Sequence, residues 1–360
     1  MNILAIETSC DETSAAVLNE RLEILSSIVA SQVDLHAKFG GVVPEIASRK
    51  HVELLNSVIS EALDTAGIGF ADVNAVAVTN RPGLVGALLV GVSAAKSLSA
   101  ALSIPLIGVH HLEGHIYANF LVNPELEFPF ICLVVSGGHS DLVLVSGHGE
   151  YEILGRTRDD AAGEAFDKSA RVLGLGYPGG PIIDRLAREG NPQAIKFPRS
   201  KLGDTLDFSF SGLKTALKRT VQGSRFNVQG SSAINHQPSP IPHPPSAINH
   251  QPSTINHWSV SDLCASFQAA VVDMLVDTTM EALERTGIRR VALAGGVAAN
   301  SGLQSRMREE CAARDIELTY PPPDLCTDNA AMIACAGYFH LIRGEVDSLA
   351  LDTIASQPLA

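Results

Sequence analysis

The six cysteines (Cys10, Cys132, Cys264, Cys311, Cys326, Cys335) include no C-x-x-C pair. This excludes a zinc ribbon and a dithiol redox motif, and scattered thiols of this kind indicate a reducing compartment rather than a disulfide framework. Aromatic residues make up only 5% of the chain, with a single tryptophan, so the core must be aliphatic and rich in small residues. Basic residues are scarce, 26 Lys and Arg against 39 Asp and Glu, giving a net charge of −13. An acidic chain is not drawn to nucleic acid by its overall field, and any such role needs local basic patches or a partner. The N-terminus "MNILAIETSCDETS" has no basic leader segment and reaches polar residues within one strand length, so no signal peptide is expected. The longest apolar stretch, around Leu84 to Ser93, is too short to span a membrane. A soluble, cytoplasmic protein with no membrane partner is expected.

The chain is nevertheless 46% hydrophobic over 360 residues, enough for about two domains with sizeable cores. Its aliphatic, Ala/Gly-rich composition suits an α/β fold with buried parallel strands. Strands are expected at 2–7, 14–19 and 23–31. A helix follows from Pro44 to a stop at Gly67, then a strand "VNAVAVT" and a buried helix "GLVGALLVGVSAAKSLSAAL". The strand "PLIGVHH" delivers His110 and His111 to its carboxyl end, where open α/β sheets form their sites. Within "HHLEGH", His111 and His115 are four residues apart and share one helical face. The zincin motif H-E-x-x-H puts a general base directly after the first histidine. Leu112 holds that place here, and Glu113 is directed to the far side of the helix. The spacing suits a metal site without the peptidase base.

Two segments repeat one theme. "LAIETSCDETSAAVL" and "FPFICLVVSGGHSDLVLVSG" are both apolar strands flanking a turn rich in hydroxyls or glycine, a geometry that exposes backbone N–H groups to phosphate. Two such hairpins suggest two similar domains facing one nucleotide. "RRVALAGGVAANSGL" adds a strand, a Gly-Gly turn and a helix, a third place where backbone can approach a ligand closely. Residues 223–257 contrast with all of this. "SAINHQPS" occurs twice in a Pro, Ser, Asn, His and Gln-rich tract, and a disordered insertion is expected there.

The motifs "ETSCDETS", "PEIASRKH", "HHLEGHIYA", "VSGGHSDL", "DDAAGEAFDKSARVLGLGYPGGP", "FSFSGLKTA", "AGGVAANSGL" and "CTDNAAM" stand in one order along nearly the whole chain. Together they resemble the tRNA N6-adenosine threonylcarbamoyltransferase family, formerly described as O-sialoglycoprotein endopeptidases. The resemblance implies an α/β fold of the actin/hexokinase/Hsp70-like type: two similar lobes with a nucleotide and metal site in the cleft between them. The lobes would be residues 1–108, completed by C-terminal helices at about 326–345, and residues 109–325. It further implies one divalent metal ion, iron(II) or zinc, held by His111, His115 and Asp328. Val134, Val135, Ser136, Gly137 and Gly138 would line the phosphate and carbamoyl region of the donor, threonylcarbamoyl-adenylate. An ATP- or ADP-type nucleotide would fit the same cleft. Asp167, Gly180 and Asp184 would hold ribose and adenine, Asn300 would contact the nucleotide, and His139 would lie beside the metal or the phosphate. Arg81 departs from the family, which usually has glycine before "PGL"; a position needing positive φ would make arginine costly, whereas an extended one would tolerate it.

The reaction so implied moves a threonylcarbamoyl group from its adenylate to N6 of the adenosine next to the anticodon. The donor is already an activated anhydride, so no covalent enzyme nucleophile is required. The acceptor amine is weak, and the enzyme must position it and stabilise charge on the carbamoyl oxygen. Asp11 or Glu12, in the first hairpin, would take the N6 proton or orient the amine. Arg49, Lys50, Lys214, Lys218 and Arg219 are candidate tRNA phosphate contacts. By resemblance the partners are tRNA, a paralogous actin-like subunit and a small P-loop ATPase. The alternatives are a non-catalytic actin-like scaffold, which would be expected to lose the metal ligands, and a metallopeptidase, which the placement of Glu113 disfavours.

Overall fold

The computed structural model describes residues 1–226, 254–255 and 258–360. Most of the tract expected over 223–257 therefore lies outside the described residues. At its edges, helical backbone continues to Phe226 and a short strand pairs Thr254–Ile255 with Trp258–Ser259.

The first lobe is built on β1 (Asn2–Glu7), β2 (Glu12–Asn19), β3 (Ile24–Ser31), β4 (Ala75–Arg81) and β5 (Leu106–His110), in the order β3-β2-β1-β4-β5. The first three strands are antiparallel and the last two run parallel to β1. Between them come the short α1 (Val33–Ala37), then α2 (Pro44–Ala66) and α3 (Val85–Leu102). Helix α2 starts on proline, whose missing N–H costs nothing at that position, and stops at Gly67 in the left-handed conformation (φ 69°) that only glycine adopts without strain.

The second lobe repeats this plan. After α4 (His111–Val122) come β6 (Phe130–Val135), β7 (Ser140–Gly147) and β8 (Glu150–Arg156), an antiparallel succession like β1–β3. Helices α5 (Ala162–Leu173), α6 (Gly179–Ala187) and α7 (Ser211–Phe226) follow. After the short β9 (Thr254–Ile255) and β10 (Trp258–Ser259) comes α8 (Val260–Thr286), opened by a Ser259–Asp262 capping box. Strand β11 (Arg290–Ala294), α9 (Ser301–Arg314), β12 (Glu317–Thr319) and the short α10 (Pro323–Cys326) lead to α11 (Ala330–Ile342). The sheet order β12-β11-β6-β7-β8 places two parallel strands beside β6, as β4 and β5 lie beside β1.

Alternation along each first strand generates the layers. Ile3 and Ala5 face the middle of the molecule, while Leu4 and Ile6 face α2 and α3. Phe130, Cys132 and Val134 face the middle from the other sheet, while Ile131, Leu133 and Val135 face α5 and α8. Helices α4 and α11 fill the space between the sheets, giving five layers, α/β/α/β/α. Helix α11, from the end of the chain, packs on β1, β2, β4 and β5 and also against α4.

Contrary to the expectation from the sequence, two helices, α3 and α8, are long and apolar enough to cross a membrane by length and composition. Helix α8 is largely enclosed in the second lobe, and α3 buries Ala87, Leu88, Gly91, Val92, Ala95 and Ser99 within the first. Arg81 ends β4 in extended conformation, opposite His110 of β5, and its guanidinium donates to Asn80 Oδ1 at 2.7 Å. The extended alternative holds, so the arginine imposes no positive-φ strain.

Candidate metal and acyl-transfer site

The site forms where the two central helices meet the turns of both hairpins. Strand β5 ends at His110 and α4 begins at His111, so His111 and His115 project from its first two turns. Asp328 is supplied by the segment between α10 and α11. Its Oδ1 lies 3.4 Å from His111 Nε2 and 3.1 Å from His115 Nε2. The three side chains offer ligand atoms that all lie within 4.8 Å of one another. His115 is fully buried, yet neither ring nitrogen makes an aligned hydrogen bond, despite the short approach to Asp328. Buried imidazole nitrogens are almost always satisfied, and a metal ion held by this cluster would satisfy one here. Two imidazoles and one carboxylate with open positions remaining suit a transition metal such as iron or zinc, not calcium or magnesium.

Glu7 completes this arrangement and was not legible in the sequence. It is fully buried at the end of β1. Its carboxylate lies 3.1 Å from His111 Nδ1 and accepts from Thr79 Oγ1 and from the Ser9 amide. A carboxylate on Nδ1 fixes the tautomer that turns Nε2 toward a metal. Burial alone would lower the basicity of His111, but Asp328 and Glu7 overcome this and raise it well above the usual imidazole range. Burial opposes the charge of Asp328 too, and His111 and His115 nevertheless hold it low. The available sequence signal was a lone carboxylate ending the otherwise apolar run "NILAIE". Glu7→Gln is expected to weaken metal affinity about 10- to 100-fold with the fold retained. Competitive chelator titration checks this, and an unchanged affinity would remove Glu7 from the site.

Glu113 is bound elsewhere. Tyr151 donates to its Oε1 at 2.6 Å, and His340 Nε2 lies 2.9 Å from its Oε2. These buried contacts tie α4 to β8 and α11 and direct Glu113 away from the face that carries His111 and His115.

The first hairpin turn carries Asp11, which is buried, and Glu12, which accepts from Ser31 Oγ at 3.1 Å. Burial, then the charges of Asp328 and Asp11, push the Glu12 carboxyl up to about 9. The folded protein thus holds a proton that the unfolded chain, titrating near 4.5, releases. This contribution to stability is complete below the unfolded value and is lost as pH rises through the folded one. Glu12→Gln, freed of metal, is therefore expected to melt above the parent protein, with a gap that widens from pH about 5 to about 9. Thermal melts across that range check the trend; a gap that narrows with pH would contradict it.

The second hairpin turn lies beside the triad. Burial, then His111, His110 and His115, lower His139 to about 4, so its ring is neutral. Val134 and Val135 are wholly buried on opposite faces of β6, which leaves Ser136–His139 as the open part of that segment. The turns touch through glycines. A Cβ at Gly295 (φ 86°) would meet Val135 O at 2.4 Å, and one at Gly163 would meet Ser136 O at 2.6 Å. Conversely, a Cβ on Gly137, Gly138, Gly180 or Gly296 would meet nothing within 4 Å, so these four present bare backbone to open space. Asp167 Oδ1 accepts from Gly179 N at 2.7 Å; burial raises its carboxyl. Asp184 accepts from Ser301 N and Oγ and from Arg188, and both ends of the Asn300 amide are used, on Leu303 N and Gln268 Oε1.

The basic candidates divide. Arg49 pairs with Glu45 at 2.8 Å, Lys50 with Glu53 at 2.8 Å and Lys214 with Asp160 at 2.7 Å. Lys218 and Arg219 are exposed on α7.

A duplicated five-stranded lobe, with two hairpin turns converging on a cleft and a histidine–carboxylate cluster between the halves, defines a protein of the actin/hexokinase-like fold with an added metal-type side-chain cluster. Solved structures agree on the fold alone. A full-length HypF in its phosphate- and nucleotide-bound form superposes with TM-score 0.57 at 14% identity, covering 95% of this chain and 46% of that one. The Acidaminococcus fermentans (R)-2-hydroxyglutaryl-CoA dehydratase component A superposes with TM-score 0.52 at 14% identity over 95% and 99% of the two chains. The family model for tRNA N6-adenosine threonylcarbamoyltransferase matches residues 23–335, and the chain belongs to that family. It is 54% identical to the tRNA N6-adenosine threonylcarbamoyltransferase of Symbiobacterium thermophilum, over 98% of this chain and 95% of that protein. It is 53% identical to that of Trichlorobacter lovleyi over 100% and 97%. The protein is a transferase that modifies N6 of adenosine in tRNA, and neither the scaffold nor the peptidase alternative is favoured.

Proposed function

We propose that the chain takes threonylcarbamoyl from threonylcarbamoyl-adenylate and delivers it to the adenosine beside the anticodon, using the cleft between the hairpin turns. The observation that carries this reading is the convergence of His111, His115 and Asp328 with the turn bearing Asp11 and Glu12. The donor lies along Ser136–Gly138, whose bare backbone suits its phosphate, with its ribose and adenine toward Asp167 and Gly180. Asp184 and Asn300 shape this pocket from behind. The related fold of a dehydratase activator was solved with bound ADPNP, which supports a nucleotide in this cleft. His111, His115 and Asp328 hold one divalent ion, iron(II) or zinc, which supplies Lewis-acid polarisation of the carbamoyl oxygen when bound.

The residues of the chain do the rest. Asp11 and Glu12 face the acceptor; Glu12 orients the N6 amine and Asp11 takes its proton as the new C–N bond forms and the carbamoyl C–O bond to the adenylate phosphate breaks, releasing AMP. The target base lies in a single-stranded loop, so presenting it costs little unstacking. Lys218 and Arg219 contact tRNA phosphates, with Arg49, Lys50 and Lys214 contributing after exchange of their ion pairs. The chain acts in the cytoplasm beside a paralogous actin-like subunit and a small P-loop ATPase.

Gly137→Val tests the donor site, because a side chain there projects into the space assigned to the phosphate. Affinity for a non-hydrolysable adenylate analogue is expected to fall at least about tenfold, with bound metal unchanged. An unaltered dissociation constant would place the donor elsewhere.

A further inference from the structure

Three polar side chains inside the first lobe, Gln32, His36 and His51, are almost wholly buried and belong to none of the ligand sets above. Their hydrogen bonds form a chain with one direction. His51 Nε2 lies 3.0 Å from Cys10 O, and a carbonyl only accepts, so Nε2 carries the proton and Nδ1 is an acceptor. That Nδ1 receives Thr13 Oγ1 at 2.8 Å and Gln32 Nε2 at 3.4 Å. Gln32 Nε2 also reaches Ala47 O at 3.5 Å, which fixes the amide orientation and leaves Oε1 to accept from His36 Nε2 at 3.3 Å. His36 Nδ1 then accepts from Val43 N at 3.3 Å. The order is Val43 N–H to His36, His36 to Gln32, Gln32 to His51, and His51 to the Cys10 carbonyl. Burial keeps His51 below its usual range, in keeping with a neutral ring.

Both ends of this chain are significant. At one end, Cys10 O takes His51 and Asp11 O takes Gln32 N at 3.0 Å, so the network grips the backbone on either side of the Cys10–Asp11 peptide. At the other end, Val43 closes the loop that contains Gly40 (φ 72°) and Gly41 (φ 155°). The carbonyl of Gly40 accepts from Arg171, which belongs to α5 of the opposite lobe. Cβ atoms on Gly40 and Gly41 would stand 3.7 and 3.8 Å from the Arg171 guanidinium, so it lies against both glycines. Arg171 is one turn beyond Asp167, on the helix assigned to the donor ribose.

We infer that Arg171, the Gly40–Gly41 loop and the His36–Gln32–His51 chain form a closure relay, through which seating of the second lobe on the first sets the turn that carries Asp11 and Glu12. The relay residues are positioning residues. A polarised chain of buried hydrogen bonds suits this task, because each bond depends on the orientation of the next and displacement at one end is not absorbed midway. Hinge closure is a common motion of two-lobed nucleotide-binding folds, and the relay makes the acceptor-side carboxylates depend on it. The inference rests on the proposed role of Asp11 and Glu12.

A double-mutant cycle of Arg171→Ala and Gln32→Met tests it, since the two residues share no contact and a spatial route alone is not evidence of coupling. Each single variant is expected to lower kcat about tenfold at saturating donor, with metal content and donor affinity unchanged, and the double variant should also lose only about tenfold. A loss of about a hundredfold in the double variant, the product of independent effects, would overturn the relay, as would normal turnover in either single variant. Should Gln32→Met not fold, hydrogen exchange of Arg171→Ala alone decides. Faster exchange at the Gln32 amide, which is bonded to Asp11 O, supports the relay, and an unchanged rate refutes it. If Asp11→Ala is fully active while the cycle is non-additive, the assignment of Asp11 fails and the coupling stands.

Discussion

His111→Ala and Asp328→Ala are each expected to purify folded, without a bound ion, and with transfer reduced by at least about 10²–10³-fold, the range for losing one electrostatic contact to a developing oxyanion. The reason lies in the donor count. Among the described residues three protein ligands converge, and removing one leaves two, too few to retain a divalent ion through purification. The fold should survive because His111 and Asp328 sit at the rim of the interlobe layer, whereas cohesion there comes from Ile116, Tyr117, Phe120 and the apolar face of α11. Elemental analysis beside a melting curve checks the pair of claims. One stoichiometric ion in both variants would overturn the ligand assignment, and collapse of the fold would show that Asp328 is needed chiefly to neutralise His111.

Replacing the acceptor-side carboxylates produces a different loss. Asp11→Ala is expected to lower turnover about 10²–10⁴-fold, as removal of a positioned general base does, and Glu12→Ala, which removes a carboxyl that orients the amine, to lower it as well, while donor affinity changes little. Both residues lie in the first hairpin, whereas the bare glycine backbone assigned to the donor lies in the second and in the turns at Gly180 and Gly296. Turnover and donor-analogue binding measured on the same preparations separate the two. Weakened binding with normal saturated turnover would move Asp11 and Glu12 to the donor side. The Glu12 carboxyl also illustrates a stability–function conflict: it is held uncharged by burial beside Asp328 and Asp11, an arrangement that folding alone would not favour at neutral pH.

Much of this architecture was legible because it is local. Apolar strands around a polar turn gave both hairpins, and the interval between His111 and His115 gave one helical face. Pro44 and Gly67 marked both ends of α2. What escaped depends on contacts between distant parts of the chain. Glu7 reaches His111 only because β1 and β5 flank β4 in one sheet. Asp328 joined the histidines through resemblance to a family, since no spacing rule links them. Asp184 and Asn300 are the right residue types near the right turns, but their hydrogen bonds are committed to Ser301, Arg188, Leu303 and Gln268. Gln32, His36 and His51 carried no signal at all, because a polar residue between apolar neighbours looks the same whether it is solvated or part of a buried chain. The length of the apolar helices was underestimated for a related reason. The Ala- and Gly-rich α3 is broken into short apolar pieces by single serines and one lysine, yet its mean hydropathy over eighteen residues remains high.

The measurement that bears most directly on the central claim is nucleoside mass spectrometry of tRNA from cells in which this chain is the sole source of the activity. Cells carrying the parent protein should contain N6-threonylcarbamoyladenosine beside the anticodon. Cells carrying Asp328→Ala at equal abundance should contain unmodified adenosine there. Full modification in the Asp328→Ala cells, or none in either, would contradict the assignment of transfer to this cleft.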